Sequence, residues 1–365
     1  MKYLYYILIF IFYTSCHNNT KTSDHVTELY IVLNDKKVKA SDFIEKMEIT
    51  MLETNDDCLI SRASKVKYIN EKIYILDGIL NKIFIFNKDG SCDTILSKRG
   101  IGPGEYLQLL DFNVTDNELQ VMDHAKAILK YDFSLKNINV EKFNSLSSRF
   151  ICKNDTVFLW NEAMGSEVNY YITSINSKNN KARRYLMMPF SKNINEFPDP
   201  RMNTLIMKND KLYASPSFSN DIYYFSNDDF NPIYKIKFNK NNFPEDKNIH
   251  EYLRQQHYID LPYALKYNYY ISDKYLIFDY YYNKRIHYCF YDMISLQLSN
   301  GIVINDYVED FRFTPHWGND NFLIDIVNAE HIIKYFSSLS IVNNNLKNIK
   351  EDDNPVVIIY TLKSN

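Results

Sequence analysis

The chain has 365 residues, 45% hydrophobic and 15% aromatic, with 31 Tyr and 23 Phe, enough apolar surface for a large core and a composition tilted toward strands. Its 42 Lys and Arg nearly balance 45 Asp and Glu, for a formal net charge of -3. No dense basic block occurs, which excludes the electrostatic footprint of a nucleic-acid-binding protein.

The N-terminus carries the first functional signal. Lys2 precedes an apolar run over residues 3–13, too short to cross a bilayer as a mature helix and of the length of a secretory h-region. Thr14-Ser15-Cys16 follows and resembles the lipobox of bacterial lipoproteins, in which the cysteine becomes an acylated N-terminus; Tyr13 departs from the aliphatic residue usual three places before it. The resemblance implies a signal peptide over residues 1–15, lipidation at Cys16 and a polar tether over residues 16–25 that attaches the protein to a membrane, leaving residues 26–365 as the folded domain. Four further cysteines, Cys58, Cys92, Cys152 and Cys289, lack CxxC spacing, so no zinc site is legible; disulfides and buried thiols both remain open.

Residues 26–32 alternate as a strand does (Val26, Glu28, Tyr30, Val32), and residues 41–49 form a short further element. From residue 65 a repeat begins. Strand-like runs at 66–69, 73–76, 83–86 and 93–96, separated by turn residues such as Asn70-Glu71 and Lys88-Asp89-Gly90, make a four-stranded antiparallel meander, the unit of a β-propeller blade. The run 118–123 (ELQVMD) repeats 72–77 (KIYILD), and a third unit starts at 156–161 (TVFLWN). A fourth starts at 211–214 (KLYA), where 220–225 (NDIYYF) matches 81–86 (NKIFIF). A fifth starts at 274–279 (KYLIFD) with Asn283-Lys284 at the matching offset, and a sixth at 321–325, its third strand at 356–360 delayed by an insertion. The expected fold class is therefore all-β, a six-bladed propeller of four-stranded antiparallel blades. Two stretches, near 244–260 and 328–340, show helical spacing and are expected to be short insertions that cover apolar surface. The last blade runs out of chain before a fourth strand, so residues 28–32 are expected to supply it and join the two ends.

Between the first two units, Gly100-Ile101-Gly102-Pro103-Gly104-Glu105-Tyr106 places three of the eight glycines within five residues, the mark of a forced backbone. This segment resembles the GxGPGE(F/Y) signature of the six-bladed β-propeller lipoproteins common in Bacteroidota; the blade repeats alone are also similar to NHL-like and TolB-like propellers. The resemblance implies the fold and a place in the bacterial envelope, lipid-anchored to the outer membrane. With no acid between Cys16 and Asp24, it favours the periplasmic side. It implies no activity.

Asp77, Asp123, Asn161 and Asp279 lie at or near the ends of second strands, on the face that also carries the glycine loop. Together they are candidates for an oxygen-rich ring able to hold Ca²⁺ or a hydroxyl-rich ligand. The commoner use of such residues is to bond the turn backbone at a strand end. The glycine loop, with Lys98 and Arg99 beside it, is either an anion cradle or a structural joint in which Glu105 pairs a neighbouring basic group or caps the turn; the glycine spacing fits neither a P-loop nor a dinucleotide fingerprint and favours the joint. There is no GxSxG or HExxH, and His250, His257, His287 and His316 are the histidines to watch, the first two seven apart on a predicted helix. The functional expectation is a non-catalytic envelope lipoprotein whose propeller face binds a partner protein or glycan. The alternative is a propeller hydrolase or lyase with a metal-supported site in the channel.

Overall fold

The computed structural model describes residues 26–124, 126–143, 147–161, 169–188, 201–244, 247, 249–253, 255, 257–309, 311–335 and 344–364. Cys16 and the predicted leader and tether lie outside the described residues. Six antiparallel meanders stand around a common axis. Blade one comprises Ala63–Ile69, Lys72–Asp77, Lys82–Asn87 and Cys92–Leu96, in that order from the axis outward. The innermost strands of the six blades are Ala63–Ile69, Leu109–Val114, Arg149–Lys153, Leu205–Lys208, Leu265–Ile271 and Trp317–Asn319. Each touches the next, and the last touches the first, so the ring closes.

Side chains alternate across a strand, and each blade therefore offers an apolar face to both neighbours. The core is accordingly divided among the blade interfaces, as between blades one and two, where Leu76, Ile83 and Leu96 meet Phe112, Val121 and Tyr131. The hairpins are set by turn chemistry. Asn70 and Glu71 (φ 51 and 57) and Asn283 and Lys284 (φ 49 and 59) occupy consecutive left-handed positions, the geometry of a two-residue hairpin turn.

The ring is closed by a different segment from the one the alternation pattern suggests. Strand β1 (Thr27–Ile31) does not reach the last blade; it lies parallel against Asp229–Phe238, the outer strand of blade four. Strand β2 (Lys37–Lys39) adds in the same manner to Leu298–Ile304 of blade five, and β3 (Ile44–Met51) pairs antiparallel with Val356–Leu362 as the fourth strand of blade six. Blades four and five thus have five strands each. The buried side chains of β1 are Leu29 and Ile31, while Tyr30 stays 65% exposed, so the strand buries the face opposite to the one whose alternation marked it.

The predicted helical insertions are smaller than their spacing implied among the described residues. α1 spans Ile249–Leu253 and α2 spans Ala329–Ile333, and the rest of both stretches includes residues outside the described set. His257 lies beyond α1, so it does not share a helix face with His250.

Cys58, in the segment from β3 to blade one, forms a disulfide with Cys92 of that blade's outer strand. Cys152 and Cys289 are unpaired, and burial raises both thiols, Cys152 to about 12. The disulfide ties the closure segment to the first blade across a sequence separation of 34. Replacing both cysteines by Ser is expected to cost about 3 to 4 kcal/mol in the unfolding free energy, the loop-closure entropy of a bridge of this span. Urea denaturation checks it; an unchanged midpoint would show that the ring closes as firmly without the bridge.

Candidate functional site

The predicted ring of acids resolves into capping devices. Asp77 is fully buried, and its carboxylate accepts four backbone N–H groups: Ser61 (2.6 Å) and Arg62 (3.0 Å) from the loop entering blade one, and Ile79 and Leu80 (both 2.8 Å) from the following turn. Asp123 accepts those of Leu107 (3.1 Å) and Gln108 (2.9 Å). The alignment of Asp77 with Asp123 also superposes Ser61 and Arg62 on Leu107 and Gln108, so in blades one and two the repeated aspartate ties the entry loop to the end of the second strand. Asn161 does the same work with side chains, accepting from Ser147 Oγ (3.2 Å) and donating to Thr173 Oγ1 (2.8 Å). Among the described residues no group of three or more His, Cys, Asp or Glu is placed to hold a metal ion.

The glycine loop is tied to its own side chains. The Gly102 N–H donates to Glu105 Oε2 (2.7 Å), and that carboxylate fills the space a Cβ on Gly100 would need. The Gly100 N–H donates to the Tyr106 carbonyl, and the buried Tyr106 hydroxyl donates to the Asn81 carbonyl (2.9 Å). Tyr131 donates to the Gly104 carbonyl (2.8 Å), and Gly104 sits at φ +73 against Asn137, where a side chain would collide. Lys98 donates to the Leu135 carbonyl (2.6 Å), which leaves Arg99 exposed beside a loop whose Gly100 and Gly102 donors are taken.

Asp279 is the exception among the predicted residues. It lies inside the long second strand of blade five, Tyr275–Tyr282, not at its end, and directly opposite Tyr288 in the ladder. Blade six has an innermost strand of only three residues, Trp317–Asn319, so the chain before it, residues 311–316, crosses the entry face as irregular backbone. Between that segment and the blade-five hairpin lies a cavity of about 710 Å³, within the range of small-molecule sites. Arg201, Asp279, Tyr288, Arg312 and His316 are among the residues that line it, with Phe311 and Phe313 as apolar wall.

The chemistry of this cavity is specific. Asp325 is 2% exposed; it accepts His316 Nδ1 (3.1 Å), Thr314 Oγ1 (3.0 Å) and the Ile326 N–H (2.9 Å). That bond fixes the imidazole, with Nδ1–H toward Asp325 and Nε2 as the other ring nitrogen. Asp279, also 2% exposed, accepts the Asn268 N–H (2.9 Å). Burial lifts its carboxyl to about 7, against that hydrogen bond and the positive charges of Lys266, His316 and Arg201. Among the described residues Tyr288 Oη is buried with no hydrogen-bond partner. His287, the other histidine singled out, is buried elsewhere, stacked on Tyr280 with Nε2 3.1 Å from Asp35.

A second cavity, about 730 Å³, lies on the rim between blades six and one. Its charges pair among themselves, Lys46 with Glu48 (2.8 Å) and Lys88 with Glu71 (3.4 Å), and it brings together no buried titratable groups. Sequence reasoning singled out Asp279 and His316 but missed Tyr288, Arg201 and Arg312. The last two sit in connections outside the blade repeat, where alignment has no purchase.

Fold and cavity define a six-bladed β-propeller with a chemically distinctive pocket on its entry face. The chain belongs to the family described as a domain of unknown function, DUF4934, which it matches over residues 26–361. No curated protein matches it. Among solved structures it is similar to a "putative exported protein" of Bacteroides fragilis (TM-score 0.74, 15% identity, covering 93% of this chain and 100% of that one). It is also similar to a member of the DUF4221 family from Bacteroides vulgatus (TM-score 0.56, 9% identity, covering 88% and 97%). At these identities the likeness is one of fold.

Proposed function

We infer that this is an exported, lipid-anchored propeller protein of the bacterial envelope that binds a glycan or partner protein at the entry-face pocket between blades five and six, without catalysis. The observation that carries the reading is the cavity of about 710 Å³ in which cationic, phenolic and apolar side chains converge. Export is supported by the apolar run before Thr14-Ser15-Cys16, by the printed description of the Bacteroides fragilis protein, and by a disulfide that suits an oxidising compartment. In the test, immobilised mature protein is exposed to solubilised envelope, and the bound material is compared with that retained by Arg312→Trp, which fills the pocket, and by Lys88→Ala in the rim cavity. Loss in the first variant alone is the expected result; equal retention by all three would sink the reading.

A second reading rests on His316 held by Asp325 beside Asp279, whose carboxyl stands near 7. Such a pair suits proton transfer, as in a hydrolase or lyase, and proceeds from these side chains in place of a metal-supported channel site. A pocket ligand consumed on incubation, and spared by His316→Ala, would favour it.

A further inference from the structure

The segment that leads from the predicted tether onto the ring builds an outward surface of one charge. Strands β1 and β2 alternate with the blades they join: Leu29, Ile31, Leu33 and Val38 are buried, while Glu28, Tyr30, Val32, Lys37 and Lys39 are exposed. The β1 ladder sets Glu28 opposite Lys235 and Tyr30 opposite Lys237, so the outer strand of blade four adds its own lysines to the same face. The link between β1 and β2 is fixed on blade five, where Asn300 Nδ2 donates to the Val32 carbonyl (3.1 Å) and His287 Nε2 stands 3.1 Å from Asp35. One continuous rim surface over blades four and five results. Residues 27–39 and 234–240 bring to it six lysines, Lys36, Lys37, Lys39, Lys235, Lys237 and Lys240, against Glu28 and Asp35 as acids. Glu28 is paired with Lys237 and Asp35 is bonded to His287. The next acids, Asp42 and Asp306, accept the N–H groups of Lys39 (3.2 Å) and Ser41 (2.9 Å). Among the described residues Lys36, Lys37, Lys39 and Lys235 have no ion-pair partner.

Two observations say what covers this rim. Cys16 stands ten residues before Val26, and β1 starts at Thr27, so a lipid on that cysteine holds the rim of blade four within about 35 Å of a bilayer at full extension and within roughly 20 Å on average. Blade one lies across the ring from blade four and is under no such constraint. The second observation is the make-up of the surface. Its lysines complement phospholipid headgroups in charge, and Tyr30 (65% exposed) and Val32 (58%) between them suit the boundary of headgroups and acyl chains, where amphipathic rings settle. We propose that the outer face of β1 and β2, with Lys235 and Lys237, rests on an anionic phospholipid surface and sets the propeller on edge, its entry-face pocket clear of the bilayer. The tether supplies proximity, so a weak attraction suffices to choose which face meets the membrane. This proposal rests on the lipid-anchored reading and is independent of what the pocket binds.

The test uses the mature chain with Cys16→Ser, which carries no lipid and so reads the rim alone, sedimented with phosphatidylcholine vesicles that contain or lack phosphatidylglycerol. At low salt it is expected to partition onto the anionic vesicles at least about a hundredfold more strongly than onto the neutral ones, about fivefold for each unpaired lysine, and high salt should erase the difference. Combining Lys36→Gln, Lys37→Gln and Lys39→Gln should remove most of that preference. The same change at Lys46, Lys72 and Lys88, which alters net charge equally on the rim between blades six and one, should cost less than about threefold. The fluorescence of Val32→Trp should shift to the blue on anionic vesicles, and that of Phe133→Trp, on blade two, should not. No preference for anionic vesicles, equal loss from the two lysine triples, or no blue shift at position 32 would each overturn the proposal. If it fails while the acylated protein still fractionates with membranes through Cys16, the anchor reading stands and only the second contact is wrong.

Discussion

A chain beginning at Leu52, stripped of β1, β2 and β3, will not fold cooperatively, whereas one beginning at Asn34 will. The first truncation removes the outer strand of blade six, and with it Phe43, Ile44, Met47 and Ile49, all 9% exposed or less. At roughly 1.5–3 kcal/mol for each fully buried apolar side chain, the loss approaches the roughly 5–15 kcal/mol that separates a folded domain from its unfolded chain. It also strips the ladder partner from Val356–Leu362 and leaves an apolar strand as a bare edge, a template for aggregation. The corner before β3 is lost as well, where Ser41 bonds Asp306 through its N–H (2.9 Å) and its hydroxyl (2.5 Å). The second truncation removes Leu29, Ile31 and Leu33 from the rim of blade four but keeps four strands in every blade. Its denaturation midpoint should fall while the transition stays sharp. Circular dichroism and urea titration of both truncations decide the matter; a cooperative transition in the shorter chain would show that the ring closes without β3.

The blades were legible because each is a local meander whose strands, turns and capping acids recur in register, as Lys72–Asp77 recurs at residues 118–123. Closure was not legible, because β1 and β2 pair in parallel with strands some 200 residues or more away, and alternation marks a strand without naming its partner. The pattern in β3 is further blurred: its register shifts between Thr361 and Leu362, so Ile44, Met47 and Ile49 do not keep strict alternation among Glu45, Lys46 and Glu48. The site divides along the same line. Asp279 was found through the repeat, but its unusual setting comes from a lengthened hairpin, and Arg201, Arg312 and His316 around it come from connections that no repeat constrains. Asp77 and Asp123, identical to it in alignment, meet converging backbone N–H groups where Asp279 meets a cavity.

That contrast leads to a second expected result: Asp279→Asn will stabilise the protein at pH 8, and the gain will disappear near pH 4. In the fold the carboxyl titrates at about 7, against 3.8 for the unperturbed group, so folding binds the proton more tightly. The protonated acid's stabilising contribution is complete below pH 3.8 and is lost as pH rises toward 7, because the unfolded chain releases its proton while the folded one retains it. Above 7 the folded protein carries a buried anion at a cost of roughly 4 kcal/mol, about 1.4 kcal/mol for each tenfold change. Asparagine keeps an oxygen to accept the Asn268 N–H and carries no charge, so it escapes this penalty at every pH. Lys67 runs in the opposite sense, since its lowered value of about 7 gives stability that is lost as pH falls from 10.5. The difference between wild type and Asp279→Asn cancels that contribution. Urea denaturation at pH 8, 6 and 4 should therefore show a gain of several kcal/mol, a smaller one and none. A gain independent of pH would mean that packing and not charge sets the effect; destabilisation at pH 8 would mean that Arg201, Lys266 and His316 hold Asp279 as a carboxylate.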